Sequence, residues 1–142
     1  MKIDTKVRLF DSEEKDVLEL VFGGGNDHKI LTKVTDHTCD GGASTEVITG
    51  SVPAGAIVLA VTAVVKTILA GASLTTWALG EENGDADRYG ATMALAAGTK
   101  LDSSDYTAAP GGHLPGDDLM LTAAAGVFSS GVIRTNVLYM LP

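Results

Sequence analysis

Hydrophobic and polar positions alternate along most of this chain with the period of two residues that is typical of β-strands. Residues 29–35 (KILTKVT) are a clear example, because Ile30 and Val34 share one side of an extended segment. A helix over 11–20 is an alternative near the start, where Ser12 precedes three charged residues. We prefer strands there as well. The pattern therefore predicts strands at residues 2–10, 16–22, 29–35, 45–52, 56–69, 73–80, 88–98, 119–126 and 131–141.

The run at residues 56–69 (AIVLAVTAVVKTIL) differs from the others, because it is apolar on both sides as far as Val65. A strand in a sheet with one solvated face should have polar residues at alternate positions. We therefore predict that this strand either lies centrally in a sandwich or has one face covered by another subunit. Its length also predicts a bend, with each half serving a different sheet. Residues 73–80 are expected to pair with it across a tight turn at residues 70–72.

The final strand, residues 131–141, has one side that is clearly less polar than the other. The opposite side carries Arg134 and Asn136. Alternating positions of a strand point to opposite faces of the sheet, so the less polar side should face the core. That side is predicted to consist of Ile133, Thr135, Val137, Tyr139 and Leu141.

Composition supports an all-β fold. The chain has 142 residues, enough for one domain, and its 17 glycines indicate many turns. No long segment has helical spacing, and the number of predicted strands fits an antiparallel β-sandwich or jelly roll. Residues 99–118 are predicted to form an irregular surface loop. Charged residues make up 20% of the chain, below the usual value of about 25%, which predicts that some surface is hidden in an oligomer.

The net charge of −8 disfavours nucleic-acid binding, which needs a cationic surface to neutralise phosphates. The single cysteine, Cys39, excludes a disulfide within the chain. Residues 1–16 have no apolar signal core, so we expect no cleaved leader. Residues 52–72 have the length of a membrane span, but Lys66 and the many β-branched residues favour a strand.

The acidic stretch GEENGDADRYG at residues 80–90 is the first candidate for a functional site. A calcium loop needs regularly spaced oxygen ligands and a final bidentate glutamate, which this stretch does not have. A glycosidase pair needs one carboxyl group in an apolar setting, whereas these lie in a Gly-rich turn. We interpret the stretch as a solvated turn, with Arg88 pairing to Asp85 or Asp87, and a weak cation site as the alternative. The four carboxylates are Glu81, Glu82, Asp85 and Asp87.

The histidines and the cysteine are the other candidates for metal binding or catalysis. His37 and Cys39 would face the same way on an extended segment, but a structural zinc site commonly has four ligands, and a second pair is missing. His28 and His113 have no such neighbour. Neither a phosphate-binding Gly-x-Gly-x-x-Gly nor a Gly-x-Ser-x-Gly motif occurs. We therefore expect no catalytic residues, no bound metal, no cofactor and no enzyme activity.

Three segments together resemble structural proteins of tailed bacteriophages. They are SVPAGAIVLAVTAVVKTILAGA at 51–72, WALGEENGDADRYG at 77–90 and DLMLTAAAGVFSSGVIRTNVLYML at 118–141. Their order along the chain resembles that of capsid decoration (cement) proteins and of head-fibre or tail-fibre modules. The region concerned, residues 51–142, is about two thirds of the chain.

The resemblance implies a β-sandwich or jelly roll, commonly trimeric and without catalysis. It predicts a virion protein that is made in the host cytoplasm, lies on the capsid surface and has the major capsid protein and further copies of itself as partners. We expect one domain, residues 1–142, with a sandwich core at 51–142. Residues 1–50 are expected to form N-terminal strands or an arm, of which about residues 1–35 dock on a capsid neighbour or another subunit. The alternative is a fibre module or a receptor- or carbohydrate-binding domain, with Tyr106 and His113 exposed in a groove.

Overall fold

The structure is a computed structural model that describes residues 29–142. The described chain is almost entirely β-structure, with one short 3-10 helix at Pro110–Gly112. Its eight strands are β1 (Lys29–Thr38), β2 (Thr45–Ile48), β3 (Ile57–Ala70), β4 (Trp77–Glu81), β5 (Gly90–Met93), β6 (Lys100–Leu101), β7 (Leu119–Ala123) and β8 (Ser130–Leu141).

The strands form two antiparallel sheets of four strands each. The order in the first sheet is β1-β8-β3-β6, and the order in the second is β2-β7-β4-β5. The first sheet is built on β8, which pairs along its length with β1 on one side and with β3 on the other. Register shifts after Val58 and Val65 mark irregularities in the β3–β8 ladder. An extra residue at such a point increases the local twist of a strand. The prediction that the two halves of this strand serve different sheets is wrong, because among the described strands β3 pairs only with β6 and β8 in the first sheet.

The core lies between the two sheets and follows from the alternation in the sequence. In β8, Ile133 and Val137 are fully buried and Tyr139 is nearly so, while Asn136 is exposed. The less polar side predicted for this strand is therefore its core face, and Leu141 at the end is half-buried. The second sheet contributes the largest buried side chain, that of Trp77. Its indole N–H donates a hydrogen bond to the carbonyl of Ala94 at 2.7 Å.

Most of the predicted strands in the described range are confirmed, and so is the all-β class with two packed antiparallel sheets. The segments at 45–52 and 88–98 are shorter than predicted, and β6 was not predicted because it lies in the expected loop at 99–118. The predicted strands at 2–10 and 16–22 lie outside the described residues. The strands β1 and β2, at residues 29–48, belong to the two sheets of the sandwich. They precede residue 51, where the sandwich core was predicted to begin.

The predicted pairing of residues 73–80 with the long strand is wrong. β4 lies in the opposite sheet from β3, where it pairs with β5 and β7. The chain crosses between the sheets at residues 71–76, a connection in which Ser73 has a positive φ of 58°. Trp77 and Leu79 are both fully buried in this position. The crossing thus places them on the far side of the core rather than beside β3.

The loop at residues 94–116 closes the second edge of β3, which β6 covers for two residues only. The backbone N–H groups of Leu69 and Val65 donate to the carbonyls of Leu95 and Thr99. The Tyr106 hydroxyl accepts a hydrogen bond from the Val61 N–H at 2.7 Å and donates one to the Val61 carbonyl at 2.5 Å. It thus provides the two backbone groups of Val61 with the partners that a neighbouring strand would provide. Buried backbone groups that lose their partners are costly, so this loop is tied to the sheet rather than free on the surface.

The segment at 52–72, considered above as a membrane span, contains the strand β3. Among residues 29–142, no helix is long and apolar enough to cross a membrane.

Replacement of Tyr106 by phenylalanine should lower the stability of the fold. The substitution keeps the ring but leaves the Val61 N–H and carbonyl without their partner, which should reduce the free energy of unfolding by about 1–2 kcal/mol. Urea denaturation of the purified chain measures this change. Tyr139→Phe is the matched control, because the Tyr139 hydroxyl makes no hydrogen bond within the described residues. Equal effects of the two substitutions would show that the Tyr106 hydroxyl does not hold the loop.

Candidate functional site

The acidic stretch at residues 80–90 folds back onto the end of β4. The Glu81 N–H donates to the carbonyl of Asp85 at 2.9 Å, and the Tyr89 N–H donates to the carbonyl of Leu79 at the same distance. A Cβ atom at Gly80 would lie 2.1 Å from the Asp85 carbonyl oxygen. Position 80 therefore requires glycine, because the turn packs directly on the strand backbone.

Glu81 is buried, with 1% of its surface exposed, and does not face solvent as predicted. Its Oε1 lies 2.7 Å from Nε of Arg88 and 3.4 Å from Nδ1 of His113. The Arg88 N–H is poorly aligned for a hydrogen bond, so the contact is an ion pair defined by distance. The other carboxylate oxygen accepts a hydrogen bond from the Asp85 N–H at 3.2 Å. The predicted pairing of Arg88 with Asp85 or Asp87 is therefore wrong.

His113 joins this buried carboxylate to the loop at 94–116. Its Nε2 lies 2.8 Å from the carbonyl of Asp117, and its Nδ1 lies 2.7 Å from the Tyr89 hydroxyl. A carbonyl can only accept, so Nε2 carries a proton and donates it to the Asp117 carbonyl. Burial, with the nearby Glu81 carboxylate second, raises the pKa of Tyr89, so this hydroxyl stays protonated and able to donate. Within the described residues, Glu81 Oε1 and Arg88 Nε are buried without a hydrogen bond and are held by the ion pair between them.

These positions can be compared with two functions considered above, cation binding by the acidic stretch and carbohydrate binding at Tyr106 and His113. Within residues 29–142, the carboxylates of the acidic stretch belong to no group of three or more ligand atoms with the spacing of a metal site. Tyr106 and His113 do not form an exposed aromatic groove, since His113 is 5% exposed and the Tyr106 hydroxyl is bound to β3. Thus the residues expected to serve carbohydrate binding hold the loop in place.

The His37–Cys39 pair acquires a third neighbour from the opposite sheet. His37 lies in β1, Cys39 follows that strand, and Glu46 lies in β2. His37 Nε2 is 2.7 Å from one oxygen of Glu46, and the Gly41 N–H donates to the other at 2.9 Å. Cys39 is fully buried, and burial, reinforced by Glu46, raises the pKa of its thiol to about 12. Cys39, predicted as an ordinary loop cysteine, therefore has a side chain that is part of the buried core. His28, the remaining candidate, lies outside the described residues.

The outer face of the first sheet carries apolar side chains from β1, β3 and β8. Residues directly opposite one another in a ladder point to the same face, so the register identifies its members. Val34 on β1 is 57% exposed, and Ile68 on β3 is 58% exposed. The other apolar members are half-buried; they are Ile30, Ile57, Ala60, Val64, Val132, Leu138 and Met140. The side of the first sheet that carries these residues, including Val34 and Ile68, is named the outer face below.

The polar groups on the outer side of the first sheet include threonines and an ion pair. Arg134 forms a bidentate ion pair with Asp36 across β1 and β8, with distances of 2.6 and 2.8 Å, and the pair holds the pKa of Asp36 below its usual value. Lys66 is close enough to Asp36 to favour the charged carboxylate as well. Beside the pair is a depression of about 370 Å³, lined by Thr62, Ala63, Val64, Lys100, Leu101, Asp102, Arg134 and Asn136.

Comparison with known proteins identifies a structural relative. No protein-family model matches the chain, and a search of curated proteins found no match. Among solved structures, the chain is similar to a chain of the cyanophage Pam1 capsid asymmetric unit, with a TM-score of 0.50 and 22% identical residues. The similarity covers 94% of this chain and 98% of that one. At this level of identity it establishes a shared fold.

Removal of the Arg88 guanidinium should strongly destabilise the protein. In Arg88→Met the Glu81 carboxylate stays buried without its cation, and breaking a buried pair in this way costs about 3 kcal/mol. Chemical denaturation monitored by Trp77 fluorescence measures the change. Glu81→Gln combined with Arg88→Met should be less harmful than Arg88→Met alone, because no unpaired charge remains.

The control for this experiment is Arg134→Met. The ion pair of Arg134 with Asp36 is exposed, so its loss should have a much smaller effect on the free energy of unfolding. Similar losses from Arg88→Met and Arg134→Met would contradict the structural role assigned to the buried pair.

Proposed function

We propose that this chain is a non-enzymatic structural protein of a tailed-bacteriophage virion, and that it decorates the capsid. The observation that carries the proposal is the fold shared with a chain of a phage capsid asymmetric unit over nearly the full length of both chains. The order of the motifs at 51–72, 77–90 and 118–141 resembles phage structural proteins and supports it independently. The major capsid protein is then the partner on the particle.

The buried polar groups support a role without catalysis. A catalytic acid, base or nucleophile must reach its substrate. The side chains of Glu81 and His113 are 1% and 0% exposed, and both are bound to neighbouring groups of the fold. Cys39 is fully buried with a raised thiol pKa, whereas a nucleophilic cysteine needs a lowered one. These groups are suited to fixing loops rather than to acting on a substrate.

The outer face is the proposed contact between copies of the chain in a homotrimer. It carries Lys66, Lys100 and Arg134 against Asp36 and Asp102, although the whole chain has a net charge of −8. A second copy therefore offers an acidic surface to this more basic and apolar face. Contacts between two different surfaces of the same chain form a ring when the rotation between copies closes, and a trimer is a simple case. Three linked copies would also strengthen binding to the repeated sites of a capsid.

Purified virions of the phage that encodes this chain provide the test of the function. Gold-labelled antibodies against the chain should bind the heads, and mass spectrometry should detect the chain among the virion proteins. Labelling of the tail would favour the fibre alternative, and a virion without the chain would overturn the proposal.

Deletion of residues 1–22 should abolish binding to undecorated heads, because we assign capsid docking to the segment before β1. Undiminished binding of the deleted form would exclude that assignment, and Leu114→Glu in the full chain is the control.

The proposed trimer predicts a mass three times the 14.6 kDa of the chain in size-exclusion chromatography with light scattering. Val34→Glu should convert it to a monomer without unfolding it, because Val34 is exposed on the outer face and a buried carboxylate there would be costly. Leu114→Glu is the matched control, since Leu114 is also a large exposed apolar residue, at 45%, but lies in the loop after the 3-10 helix. A monomeric parent chain would refute the trimer. A trimeric Val34→Glu variant would show that the outer face is not the contact.

A further inference from the structure

The end of β1 and the start of β2 bring together three side chains with nitrogen, sulfur and oxygen donors. They come from different sheets, because His37 belongs to the first sheet and Glu46 to the second, with Cys39 in the connection. One donor atom from each lies within 4.8 Å of the other two. Within residues 29–142, this is the one group of three such side chains with that spacing.

The geometry points to a site for a divalent transition metal of the zinc class, bound by His37 Nε2, Cys39 Sγ and Glu46 Oε2. Zinc takes such mixed ligands in a tetrahedral arrangement, with bonds of about 2.0–2.3 Å. Donor atoms in that arrangement are about 3.3–3.8 Å apart, a value that follows from the bond lengths. The His37–Glu46 distance of 2.7 Å would therefore open by about 1 Å or less, a small side-chain rotation.

The surroundings of Glu46 favour binding through a single oxygen. The Gly41 N–H holds Oε1 at 2.9 Å, which orients the carboxylate and leaves Oε2 directed at His37. Such outer contacts orient metal ligands in proteins and are part of a functional site. Gly41 has little room for a side chain, because a Cβ atom there would lie 3.2 Å from Oε1. The loop is therefore shaped around this carboxylate.

The position of Cys39 is fixed by the backbone. Its N–H donates to the carbonyl of Gly131 at the start of β8, at 2.9 Å. The loop between β1 and β2 is also joined to the segment before β8 by an isolated β-bridge between Ala43 and Phe128. The sulfur is thus held beside the carboxylate on the core side. His37 has 20% of its side chain exposed, whereas Glu46 has 7%, so an ion would enter past the imidazole. Water would supply the fourth ligand from that side.

Binding would release one proton from the site. The thiol loses its proton to solvent as the sulfur–metal bond forms, and the imidazole stays neutral by carrying its proton on Nδ1 while Nε2 binds the metal. The carboxylate exchanges its contact with His37 for a bond to the metal. The ion would then connect β1 to β2 and so fasten the two sheets at one end of the sandwich. This inference does not rest on the proposed role in the virion.

Cobalt(II) is a suitable probe, because its absorption reports both the ligands and the geometry. Addition of Co²⁺ to the chelator-treated full chain should produce a thiolate-to-cobalt charge-transfer band and the visible bands of a tetrahedral ion, saturating at one ion per chain. Zn²⁺ should remove these bands by replacing cobalt. A chain that develops no charge-transfer band with Co²⁺ would overturn the proposal without the use of any variant.

Thermal unfolding provides a second measurement. Zn²⁺ at about a hundredfold above its Kd should raise the melting temperature by about 5–10 °C, and a chelator should reverse the shift. Cys39→Ser and Glu46→Gln should lose both the cobalt spectrum and the zinc shift while retaining the far-ultraviolet circular dichroism of the parent. Asp40→Asn is the matched control, because it removes an exposed acid beside Cys39 and leaves the three ligands intact. Equal loss of the cobalt spectrum and the zinc shift in Asp40→Asn would show that the loss results from the change in net charge. That outcome would contradict the assigned ligands.

Discussion

The pairing of β3 with β8 is the interaction on which the rest of the described fold depends. β3 is the longest strand, and both of its edges carry backbone groups that need partners. β8 covers one edge, and the loop at 94–116 covers most of the other. The same loop delivers His113 to Glu81 and places the Ala109 carbonyl where Arg88 donates to it at 2.7 Å. The position of the buried polar group is thus a consequence of completing the central strand.

Alternation was sufficient to predict most of the strands, because core-facing residues alternate with more exposed ones in strands such as β8. It could not identify the partners of each strand. Trp77 and Leu79 would be buried equally well beside β3 or across from it, so the sequence does not distinguish a hairpin from a crossing between sheets. β6 was not found because two paired residues are too few to produce a pattern. Its pairing depends on where the rest of the loop is held.

The environment of Glu81 was mispredicted for a related reason. Four carboxylates near an Asn-Gly pair are typical of a solvated turn. However, β4 is buried at every position, and Glu81 follows Trp77 and Leu79 on the core side of that strand. Its alternation with these two residues was present in the sequence, and Arg88 was available as a partner. Likewise, the common direction of His37 and Cys39 followed from strand periodicity, whereas the approach of Glu46 required the packing of one sheet on the other.

Polar groups are distributed differently inside and outside the sandwich. Inside, Glu81, Arg88, Tyr89 and His113 contact one another or the backbone. Outside, the first sheet presents half-buried aliphatic side chains around a single bidentate ion pair. A surface of this kind gains free energy when another protein covers it, because apolar area is removed from water while the few charges find partners at its rim. In the proposed assembly, one face of the long strand β3 forms the core and the other face is the contact between copies.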